Sequence, residues 1–507
     1  MIYPNLEEVY QLSKNKEYKR IPILFDLFSD SKTPIEVLRI LKNKSKHCYM
    51  LESIEDSQKW GRYTFLGFDP LLEFTCENGA VQIKGEFSLN ENKELNNNCF
   101  TSHTSKPGDY IRQIIKENKS PKLKDVPPFT GGLVGYFAYD YIKYSEPTLN
   151  LDVKNEDGFK DVDLMLFDKV IVFDNFKQKM ILIVNMKIDE NSNKKDIENN
   201  YLKAKAELKN ISNLIKNGKS KEEEPLKLKS EFKPVFGKTE FCNMVNVAKD
   251  YIKEGDIFQV VLSNRIEADI DGSLFDTYRV LRTTNPSPYM FYFSSDDIEI
   301  AGASPETLVK MKDNTLFTFP LAGTRPRGKT DKEDLELERE LLNDKKELAE
   351  HNMLVDLGRN DIGKISKFGS VNVEKYMSIE RFSHVMHIGS TVSGQLKDEL
   401  DFINTIESIL PAGTLSGAPK IRACEIINEL EDNKRGIFGG AIGYIDLSGN
   451  LDTCIAIRIA YAKNKKVFIR SGAGIVADSI GENEYSECLN KAQAVIDALN
   501  IANGGIE

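Results

Sequence analysis

The chain reads as a mixed α+β protein rich in antiparallel sheet, and three observations carry that class. Apolar residues alternate through "KVIVFDNFKQKMILIVNMKI" (169–188), the pattern of a half-buried hairpin with its turn near Asp174 and Asn175. Further on, long helical periodicities take turns with short apolar runs: "NTLFTFP", "GAIGYID", "CIAIRIAYA" and "KVFIRSGAGIV". No segment repeats at the period of roughly 20–50 residues that marks solenoids and propellers. At 507 residues the chain exceeds what one core organises. Between 189 and 231 it turns rich in Lys, Glu, Asn and Ser, with one amphipathic helical stretch near 197–215. That charged connector divides the chain into expected units 1–188, 189–231 and 232–507.

Hydrophobic residues make up 40% and charged residues 29%, an ordinary globular balance. No apolar run approaches the ~20 residues of a membrane helix, and "MIYPNLEEVYQLSKNKEYKR" lacks the form of a secretion signal. The seven cysteines are scattered without C-x-x-C spacing. That argues against a disulfide framework or a thiolate zinc site, and for a reducing compartment. A net charge of −10 speaks against broad nucleic-acid affinity. A cytoplasmic protein with no nucleic-acid and no membrane partner is the expectation.

Candidate chemistry gathers in a few stretches. In "DKEDLELERELLNDKKELAEHNMLVDLGRND", Thr330 or Asp331 starts a helix and Gly358 marks its expected end. Glu347, Glu350 or His351, and Leu354 then share one face. A second helix, "GENEYSECLNKAQAVIDALN", has Tyr485, Leu489, Ala492 and Val495 or Ile496 as its apolar stripe, flanked by Glu484, Glu487 and Lys491. Two E-x-x-E pairs suit a hard divalent cation shared with an anionic substrate, since Mg2+ prefers oxygen ligands and commonly takes one or two carboxylates. Salt-bridged charged helices are the alternative. With five histidines and no thiolate cluster, zinc is a poor candidate.

"TFPLAGTRPRG" (318–328) reads as a strand breaking into a turn. Its Gly323, Thr324, Arg325, Arg327 and Gly328 offer donors to an anion, beside the inert methyl of Ala322. "FIRSGAGIVADS" runs a strand into Ser-Gly-Ala-Gly, either approachable amides or a tight turn, without the third glycine of a dinucleotide fingerprint. Arg458, inside "CIAIRIAYA", needs an anionic partner, a structural carboxylate or a substrate carboxylate. In "PAGTLSGAPKIRACEII", Thr414 and Ser416 offer hydroxyls from an irregular loop before a helix. His384 and His387 of "HVMHIGSTVSG" point to opposite faces if that stretch is β, so at most one meets a substrate.

Taken in order, "GDIFQVVLSNR", "NPSPYMFYF", "AGASPETLVK", "PLAGTRPRG", "ELAEHNMLVDLGRND", "HVMHIGSTVSG", "PAGTLSGAPK", "GAIGYID" and "SGAGIVADSIGENEYSECLNKA" resemble the chorismate-utilising enzymes. Within them the resemblance is to the anthranilate synthase component I family. It spans about 232–498, with weaker matches upstream in "MLESIEDSQKWGRYTFLG" and "GGLVGYFAYD". It implies sheets packed against each other with flanking helices, and an Mg2+ held by Glu350 and Glu487 with Glu347 and Glu484 in support. Chorismate would lie across the metal, Arg458, the Gly472, Ala473 and Gly474 amides, Lys491, Gly323 and Thr324. Glu306 of "GASPE" resembles the family's general acid for the C4 hydroxyl, His387 the histidine tied to pyruvate loss, and Thr414 the loop threonine beside the ring. The implied reaction is that of an oxo-acid lyase. It aminates chorismate at C2 with ammonia and eliminates pyruvate to give anthranilate, the first step of L-tryptophan biosynthesis.

Two positions separate the relatives. Isochorismate-forming members carry a Lys base where Gln259 stands, and aminodeoxychorismate synthases carry a Lys nucleophile at the position of Ala322. An amide and a methyl do neither job. Aminodeoxychorismate synthase component I and a non-catalytic tryptophan-binding subunit are the remaining alternatives. Phe438 stands where close relatives usually have a substrate-contacting Tyr. "MLES" resembles the family's feedback element: Leu51, Glu52 and Ser53 would join Pro288, Tyr289, Met290 and Cys454 around L-tryptophan as inhibitor, with a purely structural pocket as the alternative. No Cys lies in a nucleophile-elbow setting, and Cys424 and Cys488 sit in helical patterns. Ammonia would therefore come from a separate glutamine amidotransferase subunit, component II, in a heterodimer or heterotetramer.

Overall fold

The computed structural model describes residues 2–53, 61–86, 99–151, 153–155, 157–381 and 385–506. Among them twelve α-helices surround two large antiparallel sheets. In the first sheet, Cys48–Glu52 pairs with Tyr289–Ser294, followed by Glu299–Ser304, Ile459–Lys463, Lys466–Ile475 and Gln259–Asp271. In the second, Leu321–Pro326 pairs with Val385–Gln395, followed by Thr315–Thr318, Thr307–Lys312, Leu451–Ile455, Ala441–Asp446 and Gly132–Phe137. Strands from the two ends of the chain thus lie side by side in both sheets: Phe291 is opposite Leu51, and Gly443 opposite Gly135.

Strand alternation sets the layers. Phe291 and Phe293 join a core between the sheets with Tyr49, Phe65, Val134, Tyr444, Tyr461 and Phe468. Met290 and Tyr292, on the other face, join a core under the helices Pro34–Lys44, Lys194–Asn217, Phe275–Thr284 and Gly481–Ala502. A further core packs Pro107–Glu117, Lys345–Ile365 and Phe402–Ile409 on the outside of the second sheet. Each large apolar side chain placed this way stabilises the fold by about 1.5–3 kcal/mol. The result is two sheets face to face with helices outside, the arrangement the family resemblance implied.

The expected hairpin forms from Lys169–Asp174 and Lys179–Lys187, with Asp174 opposite Lys179. Asp174 tightens the turn by accepting from the Lys177 amide at 3.0 Å. In the connector, Lys194–Asn217 buries Ile197, Tyr201, Ala204, Leu208, Ile211 and Ile215, one stripe at three- and four-residue spacing, and Asn193 caps it.

Three elements depart from expectation. The single helix expected from 330 to 358 is two, Asp331–Asn343 and Lys345–Ile365. Asp344 ends one and caps the other, accepting from the amides of Lys346 (3.0 Å) and Glu347 (3.3 Å). The second helix continues through Gly358, where a Cβ would come within 3.0 Å of Thr318; the glycine serves close packing, not termination. "CIAIRIAYA" is not one strand. It breaks at 456–458 because its halves belong to different sheets. The Ser-Gly-Ala-Gly stretch makes no turn, since Gly472, Ala473 and Gly474 continue the strand and pair with Ser263, Leu262 and Val261.

Candidate active site

Two crossovers between the sheets run side by side. Ser304–Glu306 leaves the first sheet for the second, and Ala456–Arg458 returns. Outside a ladder the backbone must find other partners. Ser304 Oγ donates to the Ile455 carbonyl at 2.7 Å, the Ile455 amide to the Glu306 carbonyl at 2.9 Å, and the Ala303 amide to the Arg458 carbonyl at 3.1 Å. Glu306 and Arg458 are held together by this stitching. Arg458 has φ +53°, a left-handed conformation uncommon for a long side chain. Its Nη1 donates to the Lys491 carbonyl at 2.5 Å. Among the described residues no carboxylate pairs with it, and burial pulls its pKa down. Of the two partners open to this arginine, the structure provides no internal one.

Thr414, on the short 3-10 turn Gly413–Leu415, donates from Oγ1 to Glu306 Oε1 at 3.2 Å. Burial pushes the Glu306 carboxyl up to about 7, against the opposing pull of the Thr414 hydroxyl and the Lys491 ammonium. A carboxyl poised there still holds a proton near neutrality and gives it up readily.

The two acidic helices face each other. Burial first, then Glu347 and Glu487, raises the Glu350 carboxyl; burial and Glu487 raise Glu484, which Ser479 and Lys491 partly counter. Lys491 Nζ contacts Glu487 at 2.6 Å and donates to the Gly472 carbonyl at 3.2 Å. No group of three or more His, Cys, Asp or Glu side chains closes into a metal cage among the described residues. Carboxylates gathered within electrostatic reach of Glu350 and Glu484, in an open rather than caged array, fit a hard cation that takes few protein ligands and fills its sphere with water and substrate.

Gly323 makes a bulge in Leu321–Pro326, between Ala322 opposite Ile388 and Thr324 opposite His387. With φ +64°, and Glu347 Oε2 within 3.2 Å of where a Cβ would sit, only glycine fits. His387 Nδ1 lies 2.9 Å from the Gly323 carbonyl, which can only accept, so Nδ1 carries the proton and neutral Nε2 is the acceptor. The Thr324 hydroxyl is 3.1 Å from the same nitrogen, and burial keeps the imidazole neutral by lowering its pKa. His384 lies outside the described residues. The arginines expected to receive an anion do not. Arg325 pairs with Glu340 (2.9 Å) and Asp344 (3.0 Å), and Arg327 with Asp334 (2.8 Å). The expected turn is a bulged strand, and its charges anchor the neighbouring helices.

The Gly472–Gly474 segment lies against Lys491, whose Nζ donates to the Gly472 carbonyl. The neighbouring strand Ile459–Lys463 pairs only as far as Ile469, so beyond that point no strand among the described residues lies beside this edge. A Cβ on Gly474 would meet Gln259 Nε2 at 2.8 Å, which puts the Gln259 amide against the same surface.

A family model described as chorismate binding enzyme matches residues 46–497. The chain belongs to the chorismate binding enzyme family. Within the family it is 43% identical over 509 residues to anthranilate synthase component 1 of Acetivibrio thermocellus, covering 99% of each chain. It is 42% identical to that of Aquifex aeolicus, covering 98% of each. Among solved structures it resembles anthranilate synthase component I from Streptococcus pneumoniae TIGR4, with TM-score 0.72, 37% identity, and 92% and 98% of the two chains covered. The fold alone is shared with the menaquinone-specific isochorismate synthase from Escherichia coli, at TM-score 0.68 and 19% identity over 97% and 98%.

This member of the family also has a cavity of about 580 Å³, lined by Leu51, Glu52, Ser53, Pro288, Tyr289, Met290 and Cys454 together. Tyr289 donates to Asp452 at 2.9 Å and pairs with Thr307 at 3.0 Å. The Glu52 carboxylate turns to the helix behind, where Arg282 grips it with two donors (2.5 and 2.9 Å) and Tyr278 adds a third. Sequence reasoning missed the remaining wall, including Phe65, Lys310, Tyr444 and Asp452, which carries no local signal because it is assembled from separate parts of the chain. It also missed Ser304 and Asp344; the latter was legible as an Asp three residues before a Glu in a helical run.

Proposed function

We propose that the chain is the component I subunit of anthranilate synthase, converting chorismate and ammonia to anthranilate, pyruvate and water. The observation that carries this reading is Glu306: a buried carboxyl near neutral pKa, hydrogen-bonded to Thr414, beside an arginine with no carboxylate partner among the described residues and an open carboxylate cluster. Arg458 and those amides of the Gly472–Gly474 strand edge that point away from the ladder hold one carboxylate of the substrate, with Lys491 and the Gly323–Thr324 bulge around it. Glu350 and Glu487 hold Mg2+, with Glu347 and Glu484 nearby; when bound, the ion supplies positive charge for a second carboxylate. Glu306 protonates the C4 hydroxyl, which leaves as water while ammonia bonds to C2 and the ring double bonds shift. His387 Nε2 then takes the C2 proton, the C3–oxygen bond breaks as the ring becomes aromatic, and the departing enolate takes up a proton at its methylene carbon to become pyruvate.

With Gln259 and Ala322 in place of lysines, the chain supplies neither a base for water nor a nucleophile of its own. Ammonia comes from a separate glutamine amidotransferase subunit, in the cytoplasm. Residues 1–188 act as the regulatory region, 189–231 as connector and 232–507 as the catalytic part, with L-tryptophan in the 580 Å³ cavity as feedback inhibitor.

Purified chain with chorismate, Mg2+ and ammonium salt should release pyruvate and a fluorescent aromatic amine in equal amounts, less so with L-tryptophan present. Formation of 4-amino-4-deoxychorismate would overturn the assignment. Biological function left intact by Glu350→Gln and Glu487→Gln would instead point to a non-catalytic subunit, and lost activity with retained folding would exclude one.

A further inference from the structure

Behind the Thr414 turn lies a fully buried ionic cluster that the proposed chemistry does not use. Arg435, Arg470 and Glu431 are each at most 2% exposed. Arg435 donates from Nε to Glu431 at 2.8 Å, from Nη1 to the Leu415 carbonyl at 2.6 Å, and from Nη2 to the Val261 carbonyl at 2.7 Å. Its guanidinium stacks 4.6 Å from the Tyr139 ring and 5.9 Å from Phe438, the residue found in place of the usual tyrosine. Glu431 in turn accepts from the Ser263 amide (2.7 Å) and hydroxyl (2.9 Å). Two cations and one anion in the interior are costly to desolvate, so their contribution to stability alone is a weak reason for the arrangement.

What the cluster touches is informative. Leu415 follows Thr414 directly, and Val261 is the ladder partner of Gly474. One rigid guanidinium fork therefore ties the turn carrying Thr414 to the strand that backs the Gly472–Gly474 edge. We infer that Arg435, held by Glu431, is a positioning residue that fixes Thr414 against Glu306 in register with the anion-facing strand. The inference rests on Glu306 acting as the proton donor.

The groups facing Glu306 are Thr414 on the turn, Lys491 on Gly481–Ala502, and Asp361 on Lys345–Ile365 across a small shared cavity, paired with Lys420 at 3.0 Å. Of these only Thr414 is tethered to Arg435. Loosening Arg435 weakens the hydroxyl that stabilises the carboxylate, which raises the Glu306 pKa and moves the alkaline limb of kcat upward. Arg435→Lys keeps the charge but loses the fork.

The test measures ammonia-dependent kcat and KM against pH for Arg435→Lys, Ser263→Ala, Thr414→Val and the double variant Arg435→Lys/Thr414→Val. Arg435→Lys should lower kcat about tenfold with the chorismate KM changed less than about threefold. Its limb should move up by about half a pH unit, in the direction Thr414→Val moves it, and the double variant should move no further than Thr414→Val alone. Ser263→Ala, which removes one hydroxyl from Glu431, should show a smaller shift of the same sign even if Arg435→Lys fails to fold. A limb moved by Thr414→Val but not by Arg435→Lys or Ser263→Ala overturns the inference, as do additive shifts. A limb unmoved by Thr414→Val removes the reading of Glu306 and the inference with it.

Discussion

Glu306 and Arg458 sit on neighbouring crossovers, and each is set by what burial leaves it to meet. The folded chain keeps a proton on Glu306 up to about pH 7, whereas an unfolded carboxyl releases it near its ordinary 4.5. Activity that needs the acid form should therefore fall as pH rises through about 7. Glu306→Gln, which cannot donate, should cut kcat by roughly 10²–10⁴ with chorismate binding retained. The same linkage acts on stability. Because the native state binds the extra proton, wild-type stability should decline relative to Glu306→Gln as pH rises from about 4.5 to about 7. Equal slopes in urea titrations across that window would contradict the raised value. Arg458, with no carboxylate partner among the described residues, has the rest of its fork for a ligand beyond the Lys491 carbonyl, so Arg458→Lys should raise the chorismate KM by about tenfold or more. An unchanged KM would mean that this guanidinium serves the fold.

At the scale of elements, the helix Lys345–Ile365 owes its first turn to Asp344, and that turn carries Glu347 toward the Gly323 bulge. Asp344 also holds Arg325 of the bulged strand, so one carboxylate sets both the start of the acidic helix and its distance from the sheet. Asp344→Ala should lower the urea midpoint by roughly 0.3 M and raise the Mg2+ concentration needed for half-maximal activity. A lowered midpoint with unchanged Mg2+ dependence would separate the cap from the site. Helix faces and caps were readable from spacing, because 3.6-residue periodicity survives in any context: the 197–215 stripe and the Glu347/Glu350 face both appear as expected. Breaks were not. The division at Asp344, the passage of a helix through Gly358, and the parting of "CIAIRIAYA" each depend on a neighbour elsewhere in the chain.

For the whole molecule, continuity of both sheets is the governing fact. Separating the chain at the connector would strip Cys48–Glu52 from Tyr289–Ser294 and Gly132–Phe137 from Ala441–Asp446, exposing two edges and the aromatic core between the sheets. Heating should therefore give one transition, with near- and far-ultraviolet circular dichroism coinciding. Two separated transitions would show that the halves fold independently. The same continuity builds the 580 Å³ cavity from strands of both halves, which places a ligand there in contact with both sheets. Glu52 extends that contact outward through Arg282 to the helix Phe275–Thr284.

Sequence by itself determined the fold class, the hairpin, the connector helix, and the kinds of side chain available for chemistry. Its ordered motifs also named the family. These are properties of local periodicity and residue type. Tertiary structure alone decided which charges meet each other. Arg325 and Arg327 look like anion receptors in a short stretch, yet helix carboxylates neutralise them; Arg458 looks the same and meets no carboxylate among the described residues. A buried guanidinium is satisfied equally by a protein carboxylate or a ligand's, so no local pattern distinguishes the two. Only folding that brings together residues distant in the chain, such as Glu306 with Thr414 and Arg458, selects the partner.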